Sequence, residues 1–517
     1  MNLFRLILPT IVIIVQLLLS GCSQEERTGL LRLALQTEPS TLDPAYAVDY
    51  SSGMISSLIH SNLVRFDPEG KILGDLAEGW EVSEDGMKYT FRLTTARFSS
   101  GRNVNAEDVV YSFKRLLDPS TMSPRWWVLE PIRGAENFHG GGYWDETAVH
   151  ARDDSTLVLY LNRPAAHLLS LLTMPSAGIV CREEIESSGA DYGRSPCGCG
   201  AWKLVEWREG ERLLLERNSF YTGAGPHIDG ISIRIIPESM TRIAEYEVGN
   251  LDVLEIPRAE LSRWKESGVP IIREQELRIV YIGLNNEKPP FNIAAVRRAL
   301  NMAIDVDAII SRVIFSAGIE ARGIIPPALR LEPIRGNGYG YDPQQARKLL
   351  ADAGYPDGFR MEIWQRENPE GGRILESVQG YLYDIGVDAE LVTREWSAFK
   401  MAVDRGTPDA FYLDWFADYP DAENFMAPLF HSANAGGGGN RARYANNRVD
   451  SLFDAAALTP DAEARWRMYE EAESLVYHDA PWIFLWFPTR YEAVSDRVEG
   501  YRIPAIFNAQ RYLDVSL

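Results

Sequence analysis

Histidine and cysteine, the side chains that most often hold metals or act as nucleophiles, are scarce here: seven and four in 517 residues. The chain has no H-E-x-x-H, no G-x-S-x-G and no G-x-x-x-x-G-K-[ST]. The local signatures of zinc hydrolysis, of a serine nucleophile on a sharp turn and of nucleotide hydrolysis are therefore missing. The histidines, from His60 to His478, are scattered rather than grouped. Basic charge is also in deficit, with 52 Lys and Arg against 73 Asp and Glu and a formal net charge of −21. No basic stripe is present, which excludes nucleic acid as a partner. Acidity favours solubility without bearing on the fold. Acid pairs for glycoside hydrolysis can be drawn from any acidic chain, so the silence of the catalytic motifs points to binding rather than to an enzyme.

Long apolar runs are absent except at the start. "MNLFRLILPTIVIIVQLLLSGCS" carries one base, Arg5, then an apolar run from Leu6 to Leu19 broken by Pro9. That run is short for a bilayer span and reads as a secretory signal. It closes on Leu19-Ser20-Gly21-Cys22, which resembles the lipobox of bacterial lipoproteins, so residues 1–22 are a signal peptide and Cys22 is the lipidation site. At about 0.8 kcal/mol per buried CH₂, two or more acyl chains hold a soluble body stably at a membrane. The three other cysteines are Cys181, Cys197 and Cys199. An exported chain can oxidise them, and one bridge from Cys181 to Cys197 or Cys199 is expected, with Cys181–Cys199 the candidate. The single-residue spacing of Cys197 and Cys199 is too short for a usual zinc pair, so no metal is expected.

The remainder, too long for one core, calls for two or three domains and reads as mixed α/β without repeats. "KYTFRLT" (88–94) alternates as a half-buried strand does, and "ERLLLERN" (211–218) is a second strand. Asn105 is a natural N-cap for "AEDVVYSFKRLL", with acids in the first turn. Helices are expected over 292–304, over 342–354 with Pro near the start and Gly354 at the stop, and over 464–481. "FHGGGY" (138–143) and "NAGGGGN" (434–440) read as loops. One stretch resists this treatment. "DWFADYPDAENF" (414–425) sets Asp414, Asp418, Asp421 and Glu423 among Trp415, Phe416, Tyr419 and Phe425. Apolar cores avoid bare charge, so either the acids are solvated or capping, or one of them awaits a cation.

Several stretches in order carry a resemblance: "TEPSTLDPAY" (37–46), "GDLAEGWEVSEDGMKYTFRL" (74–93), "FSSGRNVNAEDVVYSFKRLLDP" (98–119), "FNIAAVRRALNMAID" (291–305), "YDPQQARKLLADAGYPDGF" (341–359) and "DWFADYPDAENF". From about Leu31 to the C-terminus the chain resembles the peptide/nickel class of extracellular solute-binding proteins, the receptors of oligopeptide and dipeptide ABC importers. The resemblance implies a three-lobed α/β fold. Lobe I is discontinuous (23–60, 180–280 and 488–517), lobe II is inserted (61–179) and lobe III spans 281–487, with ligand held in a hinged cleft between the large lobes.

The resemblance also implies roles. Asp418 meets the ammonium of a short peptide, Trp415 and Trp396 wall the first side-chain pockets, and the backbone near Val48–Tyr50 and Asp414–Phe416 pairs with the ligand as an added strand does. For the ligand carboxylate the chain departs from its relatives. Oligopeptide binders carry Arg at the positions of Val403 and Tyr412, where Lys400 and Arg405 are the only nearby bases. Dipeptide binders use an Arg just ahead of an Asn-Pro, and Arg366 stands ahead of Asn368-Pro369, shifted by one residue. The "SPCGCGAW" turn (195–202) departs as well. The implied protein is a monomeric, lipid-anchored, extracytoplasmic receptor that needs no cofactor and works with a separate ABC permease and ATPase. The nearest rivals are a receptor for nickel chelates or another small solute, a peptide-sensing lipoprotein, and an extracytoplasmic hydrolase.

Overall fold

Residues Leu30–Leu35 alternate between half-buried and buried positions, so the strand turns Leu31, Leu33 and Leu35 onto a core. This computed structural model describes residues 29–330 and 338–517; the signal segment and Cys22 lie outside the described residues. Leu30–Leu35 pairs in parallel with Gly230–Ile235, which continues antiparallel to Arg212–Arg217 and then Trp202–Arg208. Tyr50–Ile59 packs beside this sheet as a helix, with Asp49 as its N-cap accepting from Ser52 N–H. Its serines are buried yet satisfied: Ser57 donates to the Gly53 carbonyl at 2.8 Å, and Ser52 to Asp49 at 2.6 Å. A Cβ at Gly53 would come within 2.7 Å of the Phe507 ring, so the C-terminal segment lies directly on this helix.

A second sheet is an antiparallel four-strand unit in the order Ala77–Val82, Lys88–Leu93, Thr156–Tyr160, Val149–Asp153. The helix Ala106–Leu117 lies against it, begun by a reciprocal cap in which Asn105 accepts from Asp108 N–H and Asp108 from Asn105 N–H. The expected loop at 138–143 starts later than the sequence suggests. Phe138 and His139 close a short helix, Ala135–His139, because Phe138 is drawn under Trp144, ring against edge at 5.2 Å.

The third sheet runs Val253–Glu255, Trp482–Val494, Arg278–Leu284, Ala410–Phe416, Phe359–Arg366, Val387–Arg394. Trp482–Val494 is its long spine and also pairs with Ile271–Gln275 and Gly318–Glu320. The helices expected near 292–304, 342–354 and 464–481 are Ala294–Met302, Pro343–Asp352 and Ala462–Asp479. The last begins two residues early because the Asp461 carboxylate caps it, accepting from Ala464 N–H at 2.7 Å. Ala410–Phe416 pairs along its whole length with Arg278–Leu284, but its parallel neighbour Phe359–Arg366 reaches only Ala410 and Phe411. The far edge of Tyr412–Phe416 therefore has no strand in this ladder. Between the first and third sheets lies Asp252, wholly buried and gripped by Arg32 and Arg497. Among the described residues no helix is long and apolar enough to cross a membrane.

Candidate functional site

Each acid of the 414–425 stretch finds a different partner. Asp414 pairs with Arg278 at 2.9 Å on the adjacent strand. Asp421 caps the helix Ala422–Phe430, accepting from Glu423 N–H, and takes both arms of Arg465 at 3.1 and 2.9 Å. Half-buried Glu423 accepts from the buried Tyr419 hydroxyl, and desolvation pushes its carboxyl above the usual range. Each of these three acids already has a partner within the protein.

Asp418 is different. It follows the open-edged strand, with its backbone N–H held by the Asn424 side-chain oxygen at 3.0 Å. Burial raises its pKa above the ordinary value, opposed by Arg125 and by a hydrogen bond from Asn424. Arg125 comes from the segment after the helix Ala106–Leu117. One guanidinium nitrogen lies 3.3 Å from the Asp418 carboxylate and the other 3.3 Å from the Val48 carbonyl. An acceptor from the third sheet and one from the first are thus joined by a cation beside the second. The side chains of Arg125 and Asp418 keep 24% and 28% of their surface open, so the pair borders accessible space.

The other candidates are distributed around this point. Trp415 is half-buried and donates its indole N–H to Asn424 at 3.4 Å. Val48 and Tyr50 are exposed, and the Tyr50 hydroxyl accepts from Arg490 at 3.4 Å. Trp396 is exposed at the start of Trp396–Asp404, with the Arg366 guanidinium 5.5 Å from its ring centre. Arg366 ends Phe359–Arg366, and the following Asn368 caps Pro369–Asp384 by accepting from Glu370 N–H. Lys400 is paired with Asp404, while Val403 is core. A cavity of about 500 Å³ opens between the first and third sheets, lined by Tyr50, Phe416, Arg278, Arg490, Glu492 and Tyr512 among others. Of the Val48–Tyr50 and Asp414–Phe416 segments, Tyr50 and Phe416 reach its wall.

Cys181, Cys197 and Cys199 are buried free thiols. The Cys181 thiol donates to the Glu183 carboxylate at 3.2 Å, the Cys197 sulfur accepts from the Ser99 hydroxyl at 3.5 Å, and Cys199 is enclosed in the core, its backbone carbonyl 3.5 Å from the Ser61 hydroxyl. Sequence reasoning missed Arg125 entirely. "SPRWW" has no motif, and the contact spans 293 positions.

A cavity between sheets, reached by the end of a strand whose far edge is open, is the arrangement of a cleft that can hold a ligand. The chain belongs to the bacterial extracellular solute-binding proteins, family 5 (middle region), which it matches over residues 71–437. Heme-binding protein A of Haemophilus influenzae is 32% identical, covering 93% of this chain and 90% of its own. The dipeptide-binding protein of Escherichia coli is 30% identical, covering 86% of each chain. Among solved structures, the periplasmic binding protein DppA of Helicobacter pylori, in complex with the peptide STSA, superimposes with a TM-score of 0.78. It is 27% identical and covers 95% of this chain and 98% of its own.

Proposed function

We propose that this protein is the lipid-anchored receptor of an ABC importer and captures short peptides in the cleft between its large lobes. The mature chain would be held at a membrane through Cys22, outside the cytoplasm, and would deliver ligand as a monomer to a separate permease and ATPase without chemical turnover. The three sheets would be the cores of the three lobes. The observation that carries this reading is the Asp418 carboxylate, half-buried at the border of accessible space and aimed with the Val48 carbonyl at a single cationic group. A peptide ammonium is such a group. It offers three donors, and in a closed cleft a fixed carboxylate must replace the water it loses. The open edge of Tyr412–Phe416 would add main-chain pairing that is indifferent to side chains. The dipeptide-binding name of one relative and the peptide held by another agree with it.

Native mass spectrometry of residues 23–517, purified without denaturation, tests the reading. A ladder of short-peptide masses, lost in Asp418→Ala, is the expected result. A single non-peptide mass, a nickel chelate or a haem included, or one unaffected by Asp418→Ala, would overturn the peptide assignment.

A further inference from the structure

Far from the ligand cleft, one turn brings two of the three thiols together. The turn Phe98–Arg102 is closed by the Phe98 N–H donating to the Arg102 carbonyl at 2.9 Å. At one end of it, Ser99 donates its hydroxyl to Cys197 Sγ at 3.5 Å and its N–H to the Gly198 carbonyl at 2.8 Å. At the other end, Arg102 reaches Glu183 at 3.0 Å, and the same carboxylate accepts from the Cys181 thiol at 3.2 Å.

Both cysteines have fixed backbones. Before Cys181, the Val180 N–H donates to Ser112 Oγ at 3.0 Å; after it, the helix Arg182–Ser188 begins. The Cys197 carbonyl accepts from the Tyr192 hydroxyl at 3.1 Å. A Cβ on Gly198 would collide with the Ile59 carbonyl, so this turn is pressed against the end of the helix Tyr50–Ile59. Cys199, beyond that glycine, lines a separate cavity with Ser61, Asp75 and Tyr221.

The thiols also differ in chemistry. The neighbouring Cys181 and the Ser99 hydroxyl pull the Cys197 thiol down to about 5 against the effect of burial, whereas burial pushes Cys199 up to about 12. Cys197 is the least enclosed, at 9% exposure against 2% for each of the others. A thiolate near the surface with a second thiol beside it is the arrangement that thiol–disulfide exchange uses.

Resting on the export reading above, we propose that Cys181 and Cys197 close into a disulfide outside the cytoplasm while Cys199 stays a free thiol. The bridge ties the exit from the second sheet's unit to the entry into the first sheet. Its oxidant is the disulfide of an envelope thiol oxidase. The Cys197 thiolate attacks one sulfur of that disulfide, and the other leaves as a thiolate. Cys181 loses its proton through Glu183, attacks the Cys197 sulfur and expels the oxidase's remaining thiolate. Two electrons and two protons leave the pair, and the oxidase disulfide becomes a dithiol.

The test uses the full exported chain, extracted in detergent with N-ethylmaleimide present throughout and digested with trypsin without reductant. Trypsin leaves Cys181 on the peptide ending at Arg182, and Cys197 with Cys199 on the peptide Ser195–Lys203. The two peptides should be joined and carry one maleimide. The joined peptide should persist in Cys199→Ala and be lost in Cys197→Ala. Denaturant unfolding should give an equilibrium constant about a hundredfold smaller for the oxidised than for the reduced wild type, ~2.8 kcal/mol, for closing a loop of this length. Cys181→Ala, shown to be folded by its own unfolding curve, should lack that redox dependence. Maleimide on Cys181 of the processed wild type, a joined peptide that survives Cys197→Ala, or equal stability of the oxidised and reduced wild type overturns the inference while export stands. Maleimide on all three thiols of a chain that keeps residues 1–21 overturns the export reading as well.

Discussion

The Asn424 side-chain oxygen accepts the backbone N–H of Asp418 at 3.0 Å. Asn424 is almost wholly buried and also receives the Trp415 indole N–H. It therefore fixes two candidate ligand-facing residues without itself reaching the cleft. Asn424→Ala should leave these donors without partners, which costs about 1–3 kcal/mol in buried settings. The expected outcome is a lower unfolding temperature together with a peptide affinity weaker by about tenfold, since 1.4 kcal/mol is a factor of ten. Retained affinity in a destabilised variant would show that Asp418 needs no such support.

Arg366 stacks on Trp396 at the end of a strand beside the open edge of Tyr412–Phe416. If it receives the far carboxylate of a short peptide, Arg366→Ala should weaken free-acid peptides and leave their C-terminal amides unchanged. Calorimetry with one peptide in both forms decides the matter. An equal loss for acid and amide would reduce Arg366 to a wall of the Trp396 pocket.

Asp252 joins residues from both ends of the chain. Burial alone would raise its carboxyl, but hydrogen bonds from Arg497 and Arg32 hold it below the ordinary value. Its contribution to stability is therefore present above the unfolded-state value and lost as pH falls below it. Asp252→Asn should cost about 3 kcal/mol at neutral pH, the low end for a buried pair because both arginines keep some surface in water. The difference from wild type should shrink on acidification below the ordinary Asp range. Chemical denaturation across pH measures this, and a pH-independent gap would contradict it.

His60 is wholly buried between Ser56 and the Tyr192 hydroxyl, which lies 3.0 Å from its Nε2. Burial lowers its pKa to about 4. The unfolded chain then binds a proton that the native state refuses, so native stability falls as pH drops from the ordinary histidine value towards 4. With 1.36 kcal/mol per unit, this is on the order of 3 kcal/mol. In His60→Gln that part of the acid slope should vanish, so the gap between variant and wild type narrows as pH falls. Parallel stability curves would show that His60 does not titrate in this way.

Much of the local structure was legible in the sequence because its causes are local. The capping pair at Asn105 and Asp108 and the Asp342-Pro343 helix start each act within a few residues. Asp421 as the cap of Ala422–Phe430 could be read from "PDAEN" for the same reason. Where reading failed, distant packing had intervened, as when Trp144 pulls Phe138 out of a glycine-rich loop and into a helical turn. A run of acids among aromatics marked the 414–425 stretch and the family resemblance chose Asp418 within it, while the other three acids are held by Arg278, Arg465 and Tyr419. Only two of those partners lie outside the stretch, and no spacing rule points to them.

By itself, then, the sequence determined the mixed α/β class, the principal helix starts, the absence of local catalytic motifs and the family. The first three rest on composition, periodicity and short-range hydrogen bonding, which the chain carries wherever it folds, and the family rests on the resemblance of its ordered motifs. Only the tertiary structure decided that Arg125 meets Asp418, and that Asp252 is shared by Arg32 and Arg497. The same holds for the Cys181 thiol facing Cys197. Such pairings depend on which surfaces packing brings within a few ångströms. Coulomb and hydrogen-bond energies act through that distance, and separation along the chain does not encode it.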